Sequence, residues 1–388
     1  MAVSQSNHGS YLAAARQLVA RVASVSSDID QKRELPSTLF IELADKGFFR
    51  LLVPRGLGGA EIDYLEYLRI IQTFASADGS TGWCLNQNNV FATVSAKMPE
   101  ALARQIWGSQ RAVVANGPPA KAYAVAVSGG YRLTGRWNFS SGCRHARWLA
   151  AVAPLKPPDG DKEAPTNKPE VRMLILPKEE VNLVDVWQVN GLRGTGSFSF
   201  EVEELYVPNS RAFNPSVRPR EEGPLYVMPM ILLFASGFAS VALGVARAAL
   251  DAAITLAGSK RPRGMGDLLR DKPVTQREIG KAEAVWGAAR AFLLEAASAA
   301  WGSACTVHAL TLEERIRLRL ASTHAIRMAA EVVDIAYNLC GSDSIFQSNP
   351  IQRRFQDAHV ITQQIQGRME HYDTAGQFFL GLEAKGMF

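Results

Sequence analysis

The stretch Trp137-Asn138-Phe139-Ser140-Ser141-Gly142 ends one of several short runs rich in Val, Tyr, Leu and Phe. These runs lie between Tyr123 and Val207 and alternate with turn residues such as Gly129-Gly130. Short apolar runs separated by turn signals are typical of β-strands. Residues 119–213 are therefore predicted to form a central antiparallel β domain.

Helical patterns occupy both flanks of this β domain. Before it, apolar residues recur with helical spacing from Tyr11 to Val25, and Pro36 stands where another helix begins. After it, long alanine-rich segments such as Met228–Leu256 suit helices that pack closely along their length. The predicted fold class is α+β, mainly α: an N-terminal helical domain (1–118), the central antiparallel β domain (119–213) and a C-terminal four-helix bundle (214–388). A cleft where three such regions meet is a favoured place for a ligand.

The composition argues against several classes of protein. Of the 388 residues, 47% are hydrophobic and 20% charged, and the net charge of +5 is spread along the chain, so no nucleic-acid partner is expected. Met1–Ser10 shows no secretory signal. Met228–Val245 is interrupted by Ser and Gly and is predicted to be a buried helix, so no membrane association is expected. The polar segment Lys156–Pro169 is predicted to be an exposed, mobile excursion. The protein is expected to be cytoplasmic.

The cysteines and histidines do not suggest a metal site. Cys84, Cys143, Cys305 and Cys340 are widely spaced, with no CxxC pair and no histidine cluster at ligand spacing. Reduced structural thiols are expected.

The glycine-rich segment Gly191–Ser197 (GLRGTGS) is followed by a strand pattern rather than by a helix. It is therefore neither a dinucleotide-binding fingerprint nor a P-loop, both of which open a helix. Taken alone, it predicts a tight turn between strands.

Four separated motifs resemble those of the acyl-CoA dehydrogenase superfamily. GLRGTGS with the strand FSFEVEELYVP is similar to that superfamily's β-domain signature. The other three resemble motifs of its two-component (group D) flavin-dependent monooxygenase branch: WNFSSGCRHARWLA, SADGSTGWCL and RRFQDAHVITQQI. They span nearly the whole chain in the expected order, and they imply an acyl-CoA dehydrogenase-like fold.

The resemblance places a flavin against the segment that ends in Gly142. A flavin ring needs apolar walls and hydrogen-bonding groups near N5 and the ring carbonyls. Trp137 and Phe139 are the implied wall, and Ser140 and Ser141 the implied hydrogen-bonding groups. One of the two serines would protect a C4a-hydroperoxide. The alternative is that these aromatic residues are ordinary strand core.

Further flavin contacts are implied at two other places. Arg261 and Arg263 follow a long helix where the superfamily has a phosphate clamp across a subunit interface, although a solvated basic turn has the same composition. Such a clamp implies an oligomer, by resemblance a homotetramer. Gln363, in the C-terminal motif, is a further candidate for flavin contact.

The C-terminal motif departs from both branches of the superfamily. Acyl-CoA dehydrogenases have a glutamate base in this region, whereas Gln363–Arg368 contains no carboxylate. The monooxygenases commonly have a histidine where this chain has Gln364. Glutamine forms hydrogen bonds but does not exchange a proton near neutral pH. Gln364 is retained as a candidate catalytic position.

Two histidines are candidates for the missing imidazole. His145 follows Ser141 in the same loop, and His359 lies five residues before Gln364, about 140° around an ideal helix. Either histidine can instead be structural.

Candidate substrate contacts come from the helix motif SADGSTGWCL and the residues after it: Trp83, Asn86 and Asn89. The asparagines offer hydrogen bonds, but residues this close on a helix cannot all face one way.

The resulting interpretation is a flavin-dependent monooxygenase. By resemblance, it receives reduced FMN or FAD from a separate NAD(P)H-dependent flavin reductase, reacts with O2, and oxygenates a small-molecule substrate. The missing imidazole favours a sulfide, an amine or an electron-rich aromatic ring. One alternative is an acyl-CoA dehydrogenase-like oxidoreductase with a relocated base, Glu331 or Glu370, and another is a non-catalytic flavin-binding relative.

Overall fold

The computed structural model describes residues 10–156, 170–264 and 266–388. The segment 157–169, where the mobile excursion was predicted, lies outside the described residues. Within them, the predicted mainly helical α+β class is confirmed.

The N-terminal region is helical. Asp63 and Asp78 cap two successive helices with their carboxylates, since Asp63 accepts from Leu65 and Glu66 N–H and Asp78 accepts from Thr81 N–H. The helices are α1 (Ser10–Ser24), α2 (Ser26–Lys32), α3 (Ser37–Asp45), α4 (Tyr64–Ala77), α5 (Gly79–Ala92) and α6 (Glu100–Trp107). Helix α5 is buried at every position except Gln87 because other elements surround it.

Eight strands in the described residues form one sheet, in the order β6-β7-β3-β2-β4-β5-β8, with β1 paired to β4. Their bounds are β1 (Val114–Asn116), β2 (Pro119–Val127), β3 (Gly130–Ser140), β4 (Trp148–Lys156), β5 (Val171–Pro177), β6 (Asn182–Val184), β7 (Phe198–Pro208) and β8 (Ala212–Phe213). Most pairs are antiparallel, as predicted, but β1 and β2 each pair with β4 in parallel. Strand β1 also lies ahead of the predicted boundary at residue 119.

The C-terminal region is a bundle built around one long helix. Its helices are α7 (Pro224–Val227), α8 (Met230–Ala257), α9 (Pro273–Thr306), α10 (Leu312–Cys340), α11 (Pro350–Gln363) and α12 (Glu370–Phe379). Helix α8 packs against α4, α5, α9, α10 and α11. In the described part of the chain it alone has the length and apolar composition of a membrane span, but 78% of that window is buried in the protein. Its position at the centre of the bundle accounts for its apolar sequence.

The three regions meet at α5. This helix contacts β1, α8 and the turn at Arg193–Thr195, which lies just before β7. Helix α5 therefore brings the motif SADGSTGWCL next to GLRGTGS, and a site can be built from both.

Candidate active site

Ser141 follows the last residue of β3, at a sharp turn of the backbone. Phe139 has a φ of 58° and Gly142 a φ of 75°, both in the left-handed region that favours glycine. The Gly142 N–H donates to the Thr195 carbonyl at 2.8 Å, which holds this turn against the loop before β7. Ser141 is only 3% exposed, so its hydroxyl group meets protein atoms rather than bulk water.

Three buried hydroxyl groups form a hydrogen-bonded chain at this turn, which we call the hydroxyl row. Ser141 Oγ is 2.8 Å from Ser197 Oγ, and Ser197 Oγ is 2.7 Å from Thr195 Oγ1. At one end of the row, Thr195 donates to the Leu192 carbonyl at 2.9 Å. At the other end, the Trp83 indole N–H donates to Ser141 Oγ at 3.0 Å. The row thus connects the glycine-rich loop to α5.

An aromatic column continues from Trp83 into the bundle. The Trp83 ring stacks on Phe238 with a centroid separation of 3.9 Å, and Phe238 stacks on Phe234 at 5.9 Å. Both phenylalanines belong to α8, four residues apart and hence on one face. Trp83 and Phe238 are buried, whereas Phe234 is half-buried, so the Phe234 end of this column offers a surface for a flat, mostly apolar molecule.

The two aromatic residues of the β3 motif have different environments. Phe139 is 61% exposed and makes an edge-to-face contact with Trp187, at a centroid distance of 6.2 Å. Trp137 is fully buried, stacks on Phe200 at 4.9 Å and donates to the Val152 carbonyl at 2.9 Å. Phe139 therefore has a free face for a flavin ring. Trp137 is part of the sheet core and does not have the exposed face that a flavin wall needs.

The two asparagines of α5 are also placed differently. Asn89 accepts from Leu51 N–H at 2.8 Å and donates to the carbonyls of Phe48 and Leu85. Because the Asn89 amide is already hydrogen-bonded to the backbone, it is not free to contact a substrate. Asn86 accepts from the Tyr67 hydroxyl at 2.8 Å, while its Nδ2 is buried with no hydrogen-bond partner among the described residues. Asn86 remains a candidate.

Both predicted catalytic histidines face other surroundings. His145 stacks on Phe40 at 4.7 Å, and burial, reinforced by Lys178 and Arg144, lowers its pKa to about 4. It is therefore neutral at neutral pH and packed against α3. His359 Nε2 lies 2.9 Å from Asp334 Oδ1 in a half-exposed pair between α11 and α10. Neither placement supports a role in proton transfer at Ser141.

The segment after α11 carries the candidate glutamines. Gln364 uses its side-chain oxygen to accept from Gln366 N–H at 2.7 Å, which caps the following turn. Gln363 is exposed, and its amide donates to Thr362 Oγ1 at 3.0 Å. His371, which sequence reasoning missed, lies 2.8 Å from the Ile365 carbonyl, and burial lowers its pKa. This segment can position groups by hydrogen bonding, but it offers no carboxylate base.

Helix α11 also holds the glycine-rich loop in place. Asp357 Oδ1 accepts from the Leu192 N–H at 2.6 Å. A Cβ at Gly191 would lie 2.3 Å from the Gln356 carbonyl oxygen, so only glycine fits there. Burial raises the pKa of Asp357 to about 6, partly offset by the Leu192 N–H and by Arg354. The C-terminal motif therefore supports the loop that carries Thr195 and Ser197.

The candidate phosphate-binding arginines lie apart from the hydroxyl row. Arg261 and Arg263 are exposed on the loop after α8, and Arg261 donates to the Gly266 carbonyl. An open groove of about 530 Å³ lies at the same end of α8, and its lining includes Thr255, Ser259 and Phe346. Within one chain, these arginines are not brought to Ser141.

Comparisons with known proteins match this architecture. Residues 6–107 match the N-terminal domain of acyl-CoA dehydrogenases, and residues 236–367 match their C-terminal domain. An indole-3-acetate monooxygenase from Pseudomonas putida is 32% identical over 91% of this chain and 89% of its own length. The chain belongs to the acyl-CoA dehydrogenase family.

Other relatives place this family member in the monooxygenase branch. A flavin-dependent monooxygenase oxygenase subunit, HsaA, from Rhodococcus jostii is 28% identical over 86% of this chain and 88% of its own length. The crystal structure of 3-HSA hydroxylase from Rhodococcus sp. RHA1 superposes with a TM-score of 0.88 and 26% identity, over 97% of this chain and 99% of that one. The predicted two-component, flavin-dependent monooxygenase is confirmed, and with it the need for reduced flavin and a separate flavin reductase.

The residues around Ser141 fit a flavin ring. Phe139 offers an exposed aromatic face, and Ser141 Oγ is a buried acceptor two residues further along the chain. Ser140 Oγ and Asn88 Oδ1 are buried with no hydrogen-bond partner among the described residues. Asn88 packs against Gly142, where an added Cβ would lie 3.0 Å from its Nδ2. A flavin ring requires an apolar surface together with hydrogen-bond donors and acceptors, and these residues provide both.

The rival carboxylates are not positioned as bases. Glu331 pairs with Lys281 of α9 at 3.1 Å, and Glu370 is exposed at the start of α12. In the described ranges, no group of His, Cys, Asp and Glu residues is arranged to hold a metal ion.

The sequence motifs alone assign no role to several residues of this candidate site. Thr195 and Ser197 stand inside GLRGTGS, and the alternation of small hydroxyl residues with glycine was the available signal. Phe234 and Phe238 share helical spacing in α8, but such spacing is more often ordinary core. Only the approach of α5 to this loop brings the hydroxyl row and the column together.

Proposed function

We propose that this oxygenase holds reduced flavin against Phe139 and Ser141 and inserts one oxygen atom from O2 into a small aromatic substrate. The observation that carries the proposal is the Trp83 N–H bond to Ser141 Oγ at 3.0 Å. It joins an aromatic column suited to a flat substrate to a hydroxyl group suited to a flavin.

The chain's own residues hold and shield the reactants. Bound reduced flavin supplies the two electrons with which one atom of O2 enters the substrate and the other leaves as water. Phe139 would stack on the flavin ring, and Ser141 would form a hydrogen bond near its N5. Trp83 and Phe238 exclude water from the substrate side, which disfavours release of hydrogen peroxide.

The substrate class follows from the groups in and around the site. The aromatic column favours a ring. Neither His145 nor His359 is positioned to deprotonate a substrate at Ser141, which favours a substrate that is already electron-rich. Named relatives include an indole-3-acetate monooxygenase and a resorcinol hydroxylase oxygenase component. The unpaired Nδ2 of Asn86 would donate to an oxygen of such a substrate.

The remaining contacts require more than one chain. Arg261 and Arg263 would bind the flavin phosphates of a neighbouring subunit in a homotetramer, and the exposed Gln363 would add a contact. The exposed loop at one end of α8 supports this arrangement. FMN or FAD would come from an NAD(P)H-dependent reductase in the cytoplasm.

The test is isotope incorporation by the purified chain. It is supplied with a flavin reductase, NAD(P)H, FMN or FAD, and ¹⁸O-labelled O2, together with indole-3-acetate, resorcinol or an aryl sulfide. The expected product carries one labelled oxygen atom, with the aromatic substrates favoured over the sulfide.

Three outcomes would contradict this function. Peroxide release without a labelled product for every substrate would indicate a flavin-binding relative without oxygenase activity. Anaerobic bleaching of oxidised flavin by an acyl-CoA would indicate a dehydrogenase. A product whose new oxygen atom is unlabelled, and therefore comes from water, would also exclude oxygenation.

A further inference from the structure

We propose that Thr195 and Ser197 act as positioning residues that make Ser141 a hydrogen-bond acceptor toward flavin N5, so that the site selects reduced over oxidised flavin. The inference rests on the proposed placement of the flavin at Phe139 and Ser141. It adds a reason why the enzyme binds one redox form in preference to the other.

The direction of each hydroxyl proton follows from counting donors and acceptors. An indole N–H can only donate, and a backbone carbonyl can only accept, so Trp83 and Leu192 fix the two ends of the hydroxyl row. Thr195 gives its single proton to the Leu192 carbonyl and must accept from Ser197. Ser197 must then accept from Ser141. Only this polarity satisfies every proton without a ligand.

Ser141 is therefore left with acceptor capacity alone. Its proton points to Ser197, and one lone pair receives the Trp83 N–H. A hydroxyl oxygen has two lone pairs, so one is available to the flavin. The N5 position of reduced flavin carries a hydrogen atom and donates, whereas N5 of oxidised flavin has no hydrogen and accepts. The ligand-free row is thus complementary to the reduced form.

Oxidised flavin requires the opposite arrangement. For Ser141 to donate to N5, the protons of Ser197 and Thr195 must also reverse, and Thr195 loses its bond to Leu192. The three hydroxyl residues are 1–3% exposed, so water is not at hand to replace that bond. Loss of one buried hydrogen bond corresponds to a preference of about three- to tenfold for the reduced form.

Anaerobic equilibrium ultrafiltration measures this preference in the full-length protein. The dissociation constants of FMN and FAD are measured in oxidised and dithionite-reduced form. In Ser197→Ala, and separately in Thr195→Val, the Ser141 proton is released to donate to N5. We expect oxidised flavin to bind more tightly and the ratio Kd(oxidised)/Kd(reduced) to fall about three- to tenfold. The midpoint potential of the bound flavin should fall accordingly, by about 30 mV for a tenfold change.

Two control variants separate this effect from simple loss of packing. Ser197→Thr keeps the hydroxyl group and should keep the wild-type ratio. Ser199→Ala removes a buried hydroxyl group two residues along, which donates to Asn138 at 2.8 Å and lies outside the row, and should also keep it. Damaged packing would change both dissociation constants alike and leave the ratio unchanged.

The outcomes are distinct. An unchanged or increased ratio in Ser197→Ala and Thr195→Val overturns the inference, even if wild-type protein oxygenates its substrate normally. A wild-type protein that binds neither redox form contradicts the proposed function itself, and the inference with it.

Discussion

At the scale of single residues, Phe139 and Trp137 distinguish a proposed flavin contact from a core contact. Phe139 is 61% exposed, so Phe139→Ala should leave the melting temperature nearly unchanged. Loss of its stacking should weaken the binding of reduced flavin about three- to tenfold. Anaerobic flavin titration and thermal unfolding measure the two effects.

Trp137 supplies the matched variant. Trp137→Phe keeps the stack on Phe200 but loses the N–H bond to the Val152 carbonyl. It should lower the free energy of unfolding by about 1–3 kcal/mol and leave flavin affinity unchanged. The opposite pattern, with stability lost in Phe139→Ala and flavin affinity lost in Trp137→Phe, would show that the two assignments are reversed.

His145 gives a pH dependence with a defined sign. Its folded pKa of about 4 lies below the ordinary 6.5, so the unfolded chain takes up a proton that the folded chain does not. The contribution of this group to the free energy of unfolding is fully present above pH 6.5. It is lost as the pH falls from 6.5 toward 4. His145→Phe can keep the stack on Phe40. In this variant the free energy of unfolding should fall less steeply with decreasing pH, because unfolding takes up about one proton fewer.

Urea unfolding across that pH range measures the difference. Product formation by His145→Phe should match wild type, since the imidazole packs against α3 rather than at Ser141. Equal pH slopes in the two proteins would contradict the buried, neutral histidine.

At the scale of secondary-structure elements, α5 and α8 approach closely where Gly237 faces Asn86. A Cβ at Gly237 would lie 1.8 Å from Asn86 Oδ1. Gly237→Ala should therefore displace the Asn86 amide, destabilise the fold by about 1–3 kcal/mol and raise KM for the substrate. Gly287→Ala in α9, where an added Cβ would meet no described atom within 4 Å apart from the adjacent backbone of its own helix, should instead stabilise by up to about 1 kcal/mol. Chemical denaturation and steady-state kinetics distinguish the two, and equal behaviour would refute the close approach.

The sequence predicts elements well and side-chain partners poorly. Apolar periodicity, proline positions and turn residues are local signals, so the order of helices, strands and helices was predictable. The parallel pairing of β1 with β4 was not, because it joins segments more than thirty residues apart. Asn89 illustrates the same limit: its partners, Phe48 and Leu51, lie on a distant segment that periodicity does not locate.

At the scale of the whole molecule, three regions together form the candidate site, which none of them contains alone. Trp83 comes from the N-terminal helices, Ser141 and Ser197 from the β region, and Phe238 from the bundle. Motif order in the sequence predicts this meeting of regions only through family resemblance. Without that resemblance, the spacing of residues in the sequence identifies Ser141 only as a polar residue beside a strand.

The central claim is that the Ser141 hydroxyl group contacts the flavin. The partition of O2 between labelled product and hydrogen peroxide in Ser141→Ala tests it most directly. Labelled product and hydrogen peroxide are measured together at saturating reduced flavin, with wild type and Ser199→Ala as controls. The ratio of product to peroxide should fall about tenfold in Ser141→Ala, as expected for the loss of one buried hydrogen bond, and stay at the wild-type value in Ser199→Ala. A Ser141→Ala protein that couples O2 use to product formation as tightly as wild type would contradict the account.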